Sequence, residues 1–550
     1  MTMLRLRLLH ILLCMSGAAA GAHTQAVPVH QAVRTANANE ARTIKAFGEA
    51  RAHGQLALYA FLYGMPKGGD LHNHLYGAVY AESWIRDAAQ DHLCVDVKTL
   101  SFVHSGGRAS GVDALRCDPP GDGTIVAAVD ASGHFPAAAL GGNQPLYDAL
   151  VDAFSMRSFV ATSGDSGHDH FFASFDKFDG PSHAHMPEWL DEVAARAASQ
   201  NEQYLELMHT PPFADAAKLA INTGYTSDFA SDRQKMLDGG LKSEIAPIRS
   251  EMDGYQKSQR AMEHCDTPQA APACQVKVRF IYQVLRNFPP PVVFAQILLG
   301  FEVAAADPQH FLAINLVQPE DDFYAMRDYH LHMQMIAALR RFYPGVHVTL
   351  HAGELAPGLV PPDGLLFHIR DAVETAGAER IGHGVDVMNE ERPYELLHEL
   401  ADRHVMVEIN LTSNEGILNV GGPTSPLPYY IDAGVPVALS TDDEGVNRSN
   451  MTHEYAKAAT LYGLSYPQLK NMARNSLSYS FLSGESLWPI ASVASMYREP
   501  AAACRSSVAR LANDPRVSAD AACMKFLAAS EKAAAQWEME RRFTAFEAGH

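Results

Sequence analysis

From about residue 186 onward, short β-branched or apolar runs alternate with longer helix-like stretches. The runs read "QYLELMH", "VKVRFIYQVL", "AQILLGFEV", "VHVTLHAGE", "ERIGHGVDV", "VMVEINLTSN" and "VPVALSTDDE", and "GGDLHNHL" nearer the front makes eight. Each is a continuous apolar run rather than an apolar/polar alternation, which is the pattern of strands buried on both faces of a parallel sheet. Eight strand–helix units predict an α/β fold, a (β/α)8 TIM-type barrel. Polar residues collect at the C-terminal ends of the runs, the catalytic face of such barrels.

The flanks differ in texture. Residues from about 30 to 64 read as a helical arm, and those beyond about 500 as an Ala-rich helical tail. Between them, residues from about 104 to 145 carry "SGGRASGVD", "PPGDGT" and "ALGGNQP", the composition of a loop-rich insertion. The first 22 residues have a basic start (Arg5, Arg7), an apolar middle and a small-residue exit at Ala20-Gly21-Ala22. That is a secretory signal peptide, too short for a membrane span. The predicted organisation is therefore a leader at 1–22, an arm at 23–64, a barrel at 65–500 with an insertion after its first strand at about 92–150, and a tail at 501–550. An exported protein, periplasmic or secreted, is expected, with no membrane partner.

The chain has 550 residues, 47% apolar and 19% charged, with a formal charge of −20 that becomes −22 without the leader. Such acidity repels nucleic acid and anionic membranes and favours a neutral or cationic small molecule. Solubility alone also accounts for it. Six cysteines follow the leader in three sequence-local pairs, and the predicted disulfides are Cys94–Cys117, Cys265–Cys274 and Cys504–Cys523. Six buried thiols are the alternative.

Candidate chemistry sits at four run ends. His72 and His74 in "DLHNHL" point the same way in an extended chain, as a metal clamp or as two polar side chains. His351 ends an apolar run in "TLHAGE", with Glu354 three residues later, placed for proton exchange. His383 lies between two glycines in "RIGHG", as a water-orienting group or a satisfied core histidine. Asp442 and Asp443 are adjacent carboxylates in "STDDEG", costly to bury without partners. Three histidines and an aspartate with one open position are the donor set of a catalytic rather than a structural zinc site. Two further His-x-His pairs, His168/His170 and His183/His185, lie in polar surroundings outside the runs and read as solvent-facing or helix-capping.

The set "MPKGGDLHNH", "HAGE", "RIGHG", "EINLTSN" and "STDDEG", in this order, resembles the adenosine deaminase family of metal-dependent hydrolases. "FFASFDKF", "YLELMHTP", "HEYAKA" and "ARNSLSYSF" add weaker matches, and the likeness spans roughly residues 60 to 485. The leader, the "MPKG" entry, the insertion and the cysteines look most like the secreted adenosine deaminase-related growth factor branch. The resemblance implies one zinc ion per chain held by His72, His74, His351 and Asp442. It implies that Glu354 gives a proton to purine N1, that His383 orients and deprotonates the attacking water, and that Asp443 bonds the water or purine N7. By the same analogy the arm and the insertion are candidates for a homodimer contact.

Two positions depart from the family. Tyr76 stands where the compact enzymes hold the ribose with an aspartate, and Ala305 is aligned with a glycine near purine N3. The expected function is hydrolytic deamination of adenosine or 2'-deoxyadenosine. The alternatives are another 6-aminopurine or modified nucleoside, and an extracellular binding or signalling protein built on the same barrel.

Overall fold

The structure, a computed structural model, describes residues 38–104, 114–117, 127–490 and 497–550. The leader and the first part of the arm lie outside the described residues.

Strand β1 (Gly68–His74) is followed by three short strands, β2 (Cys94–Asp96), β3 (Ser101–Phe102) and β4 (His134–Pro136). These form their own antiparallel sheet, with β2 in the middle, inside the insertion. Seven more strands follow: β5 (Glu202–His209), β6 (Lys277–Leu285), β7 (Phe311–Val317), β8 (His347–Ala352), β9 (Arg380–His383), β10 (Met406–Ile409) and β11 (Val437–Leu439). With β1 they make one parallel sheet in the order β1-β5-β6-β7-β8-β9-β10-β11. The last strand end returns to the first: Asp442 N–H donates to the His72 carbonyl at 2.9 Å, and His74 N–H to the Asp442 carbonyl at 3.0 Å. The eight-stranded (β/α)8 barrel is thereby closed at its C-terminal rim.

Strands β5, β9, β10 and β11 are buried at every position, because helices cover them outside and side chains fill them inside. Met208, Ile281, Ala313 and Val317 pack around Phe481 in a small core of their own, while Leu207, Phe280 and Ile314 join the main core. The alternation along each strand divides the two.

One of the eight runs is not a strand. "AQILLGFEV" lies within a helix, Pro290–Ala306, and the fourth barrel strand is β7, "FLAINLV". Every residue of that helix from Val293 to Ala304 is buried, so it shows no polar face and no 3.6-residue period. Gln296 ties the helix to the end of β6, accepting from Leu285 N–H and donating to Leu285 C=O, both at 3.0 Å.

All three disulfides pair as the sequence spacing suggests: Cys94–Cys117, Cys265–Cys274 and Cys504–Cys523. No helix among the described residues is long and apolar enough to cross a membrane. The N-terminal helix Ala38–Ala52 and the C-terminal helix Glu531–Ala548 both pack on helix Tyr466–Ser478. Buried ion pairs fix this junction. Lys470 contacts Glu40 and Glu547, and Arg474 grips Glu540 with two bonds of 2.8 Å. The Arg474 side chain is only 4% exposed, so Glu540→Ala removes both of its carboxylate bonds in a buried place and leaves it only the more distant charges of Glu40 and Glu547. The expected cost is about 3–5 kcal/mol of unfolding free energy. Denaturant unfolding measures it, and a loss below about 1 kcal/mol, the worth of a surface pair, would show that the pair does not anchor the tail.

Candidate metal centre and active site

The C-terminal rim gathers the charged groups of the four motifs. His72 and His74 project inward from β1, and His351 from β8. Their Nε2 atoms converge: His351 Nε2 lies 3.1 Å from both His72 Nε2 and His74 Nε2. Asp442 Oδ1 lies 3.3 Å from each of the two β1 imidazoles.

The far side of each ring says which nitrogen carries the proton. His72 Nδ1 donates to Glu408 Oε2 at 2.7 Å, His74 Nδ1 to Gln283 Oε1 at 2.8 Å, and His351 Nδ1 to Asn315 Oδ1 at 3.0 Å. The His351 backbone N–H donates to the same Asn315 oxygen at 2.9 Å, which fixes that amide as an acceptor. With Nδ1 protonated, every Nε2 offers a lone pair. Three lone pairs and a carboxylate oxygen therefore face one point, and Asp442 Oδ1 has no hydrogen-bond partner. Such an arrangement is repulsive unless a cation occupies its centre. Four donors about 2.0–2.1 Å from one ion lie about 3.3–3.4 Å apart in a tetrahedron, close to the spacings seen. Without a metal a proton takes the cation's place: burial disfavours protonated His72, yet Asp442 and Glu408 outweigh it and lift the imidazole to about 10. The residues fit a divalent metal.

His383 also lies near Asp442, and with His72, His351 and Asp442 it makes a second possible donor group. It is the poorer ligand. Its Nε2 is 3.8 Å from Asp442 Oδ2, and its Nδ1 is held by Asn414 Oδ1 at 3.0 Å. Strand parity would turn residue 383 outward, but φ 68 redirects the ring into the mouth. Asp442 also has a left-handed backbone, φ 61, and its Oδ2 accepts from Ser413 Oγ at 2.6 Å. Between them Gly382 must be glycine, since a Cβ there would lie 2.4 Å from the His72 ring.

Glu354 follows β8 in a loop pinned from below. Glu320 accepts the Gly353 and Glu354 backbone N–H groups at 3.0 and 2.8 Å and is itself held by His368 at 2.5 Å. Arg286 adds bonds to the Gln318 and His351 carbonyls. Burial, with Asp442 and Glu320 adding to it, pushes the Glu354 carboxyl up to about 8. Burial keeps the His383 imidazole below its ordinary value, against the opposing pull of Asp442. At neutral pH the pair is thus a protonated acid and a neutral base, with Glu354 Oε1 3.6 Å from His383 Nδ1. Asp443 is buried with Oδ1 unpartnered, and burial drives its carboxyl well above the usual range. It fills the space a side chain at Gly77 would need, since a Cβ there would fall 1.6 Å from Oδ1.

Two expected contact residues stand elsewhere. Tyr76 packs among Trp84, Trp189 and His209, and its hydroxyl is 2.7 Å from His183 Nε2, so it is committed to an aromatic cluster at the rim. Ala305 is exposed on the last turn of helix Pro290–Ala306, next to the start of β7 and so at the opposite end of the barrel. Its misplacement follows from reading that helix as the fourth strand. The residue that actually follows the fourth strand is Gln318, with φ 82, a conformation that favours glycine. Of the four histidines outside the runs, only His183 is exposed. His168 bonds Asp321 at 2.9 Å, His170 bonds backbone carbonyls, and His185 pairs with Asp91 at 3.2 Å.

Sequence reasoning missed Glu408, Gln283, Asn315 and Glu320, the residues that aim the donors and the acid. Inward strand parity with His72 and His351 was the available signal. A cavity of about 680 Å³ opens beside the cluster rather than over it, bordered by Leu359 of the Glu354 loop, His168, Thr412, Ile417 and Lys457.

A family model described as "Adenosine deaminase" matches residues 253–493. An adenosine deaminase of Escherichia coli (O1:K1 / APEC) is 37% identical over 142 residues, 26% of this chain, and the match spans 39% of that relative's length. An N6-methyl-AMP deaminase from Arabidopsis thaliana superposes with TM-score 0.47 at 18% identity, covering 77% of this chain and 94% of that one. An adenine deaminase from Arthrobacter aurescens gives 0.43 at 16%, covering 78% and 97%. The family-model match takes in "HAGE", "RIGHG" and "STDDEG", the strand ends that supply His351, Glu354, His383 and Asp442, and over those residues the chain is similar to adenosine deaminases.

Proposed function

We propose that this chain is an exported, zinc-dependent aminohydrolase that converts adenosine or 2'-deoxyadenosine to the inosine counterpart with release of ammonia. The observation that carries the reading is the convergence of three imidazole lone pairs and Asp442 Oδ1 beside a carboxyl, Glu354, that holds its proton at neutral pH. His72, His74, His351 and Asp442 would hold one zinc, a donor set of imidazoles and carboxylate that suits this ion. When bound, zinc supplies Lewis acidity that brings the pKa of a water toward neutrality.

The chain's own groups do the rest. Glu354 delivers its proton to purine N1, which makes C6 electrophilic. His383, with Nδ1 spent on Asn414 and Nε2 3.3 Å from Asn410 Nδ2, exchanges that amide contact for the water that adds to C6 and takes a proton from it. Asp443 accepts a hydrogen bond from that water or donates to purine N7, as its raised affinity for a proton permits. As the C6–N bond breaks, the protonated His383 gives its proton to the leaving amine and the C6 hydroxyl proton passes to Glu354, so ammonia departs and both groups regain their starting states. Tyr76, with its hydroxyl bound, leaves no carboxylate at that position to grip a ribose. That favours trying modified nucleosides and free 6-aminopurines alongside adenosine. The three disulfides suit an extracellular setting.

Glu354→Gln should retain zinc and lose about 10²–10⁴-fold in kcat/KM. Loss of adenosine absorbance gives the rate and metal analysis the zinc content; wild-type-like turnover would remove Glu354 from its role. The pH profile should be bell-shaped. The acid must be protonated, so activity falls as pH rises through about 8. The base must be neutral, so activity falls on the acid side only below the ordinary histidine range. A profile still rising above pH 9, about one unit past the Glu354 value, would contradict the assignment.

A further inference from the structure

Each imidazole of the donor cluster leans on a different acceptor, and only one of the three acceptors is charged. Gln283 and Asn315 are carboxamides. Glu408 is a buried carboxylate, and its charge is set within a buried ionic unit inside the barrel. Its Oε1 accepts from Arg380 Nε at 2.6 Å and from Thr349 Oγ1 at 3.3 Å. Arg380 in turn lies 2.7 Å from Glu206 Oε2, and Glu206 Oε1 accepts from the Tyr204 hydroxyl and the Phe481 N–H, each at 2.7 Å. Glu206, Arg380 and Glu408 are 0–1% exposed, so water screens none of this. On the opposite wall the bias is reversed: the Arg286 guanidinium lies 3.4 Å from the His351 carbonyl.

We propose that Glu408, clamped by Arg380 and Glu206, is the positioning residue that sets the affinity of the cluster for its metal, with His72 as the strongest imidazole donor and His351 the weakest. A carboxylate on Nδ1 fixes the tautomer and also raises the basicity of the ligating nitrogen; a carboxamide does only the first. Glu408 shares the Arg380 guanidinium with Glu206, and the other cation of the unit, Lys532, bears on Glu206 rather than on Glu408, so the carboxylate beneath His72 keeps negative charge that favours a cation above it. Such a buried triad contributes little net stability and acts by specifying charge and geometry. Asn315 is poised for the converse change. Its Oδ1 already accepts both His351 Nδ1–H and His351 N–H, and its amide nitrogen donates to the Met208 sulfur at 3.3 Å. An aspartate there keeps both bonds and adds the missing charge.

The inference rests on the metal-centre reading, and zinc affinity at fixed pH tests it. Metal-free full-length protein is titrated with zinc against a chromophoric chelator. Glu408→Gln should bind about 10–100-fold more weakly than wild type. Asn315→Asp, nearly isosteric, should bind more tightly, which no loss of folding can imitate. If Glu408→Gln fails to fold, shown by its thermal unfolding without metal, Asn315→Asp decides alone. Unchanged affinity in the variants that fold overturns the inference and leaves the metal centre standing. Wild-type protein that binds no zinc overturns the metal centre itself.

Discussion

Two backbone hydrogen bonds join the end of β11 to β1, and both run between Asp442 and the His72/His74 pair. The rest of the site depends on this closure. A parallel sheet of eight strands has two free edges unless its ends meet, and here they meet at the residues whose side chains converge on one point. Side-chain bonds reinforce the seam: Asp70 takes the Thr441 hydroxyl and N–H, and Asn73 donates to Thr441 at 2.9 Å. Barrel closure and donor assembly are therefore one event. A metal that binds the donors favours the closed barrel, and a closed barrel presents the donors without further ordering.

That arrangement stores strain where the chemistry is. His383, Asp442 and Gln318 end or follow three barrel strands with positive φ. Each costs about 1–3 kcal/mol in a residue with a Cβ. The surroundings hold them in place: Asn414 and Asn410 around His383, Ser413 and the seam around Asp442, Arg286 on the Gln318 carbonyl. The redirected backbone brings His383 beside the donors, with its Nε2 3.8 Å from Asp442 Oδ2 and 3.3 Å from Asn410 Nδ2.

Much of this was legible in the sequence, for identifiable reasons. Strand ends that carry His351, His383 and Asp442 stood out because a charged or imidazole group closing an apolar run has no ordinary structural use. The fourth strand did not stand out. "FLAINLV" is short, while the helix before it is apolar on all sides, and continuous apolarity cannot tell a buried strand from a buried helix. Ala305 was misplaced with it. Glu408, Asn315 and Gln283 were hidden for a different reason. A lone polar residue inside a strand is common, and only the closed barrel shows that these three face the histidines. Conversely, His168, His170 and His185 read as solvent-facing or helix-capping by their polar neighbours, and folding half-buries the first two against Asp321 and backbone carbonyls and buries the third against Asp91.

The central claim is that one metal ion is held by both β1 histidines, the β8 histidine and the carboxylate that closes the barrel. Anomalous diffraction at the zinc edge from crystals of zinc-loaded protein tests it most directly. The account predicts a single strong peak bonded to Nε2 of His72, His74 and His351 and to Oδ1 of Asp442, with His383 outside bonding distance. A peak bonded to His383 in place of His74, or no peak within the barrel mouth, would contradict it.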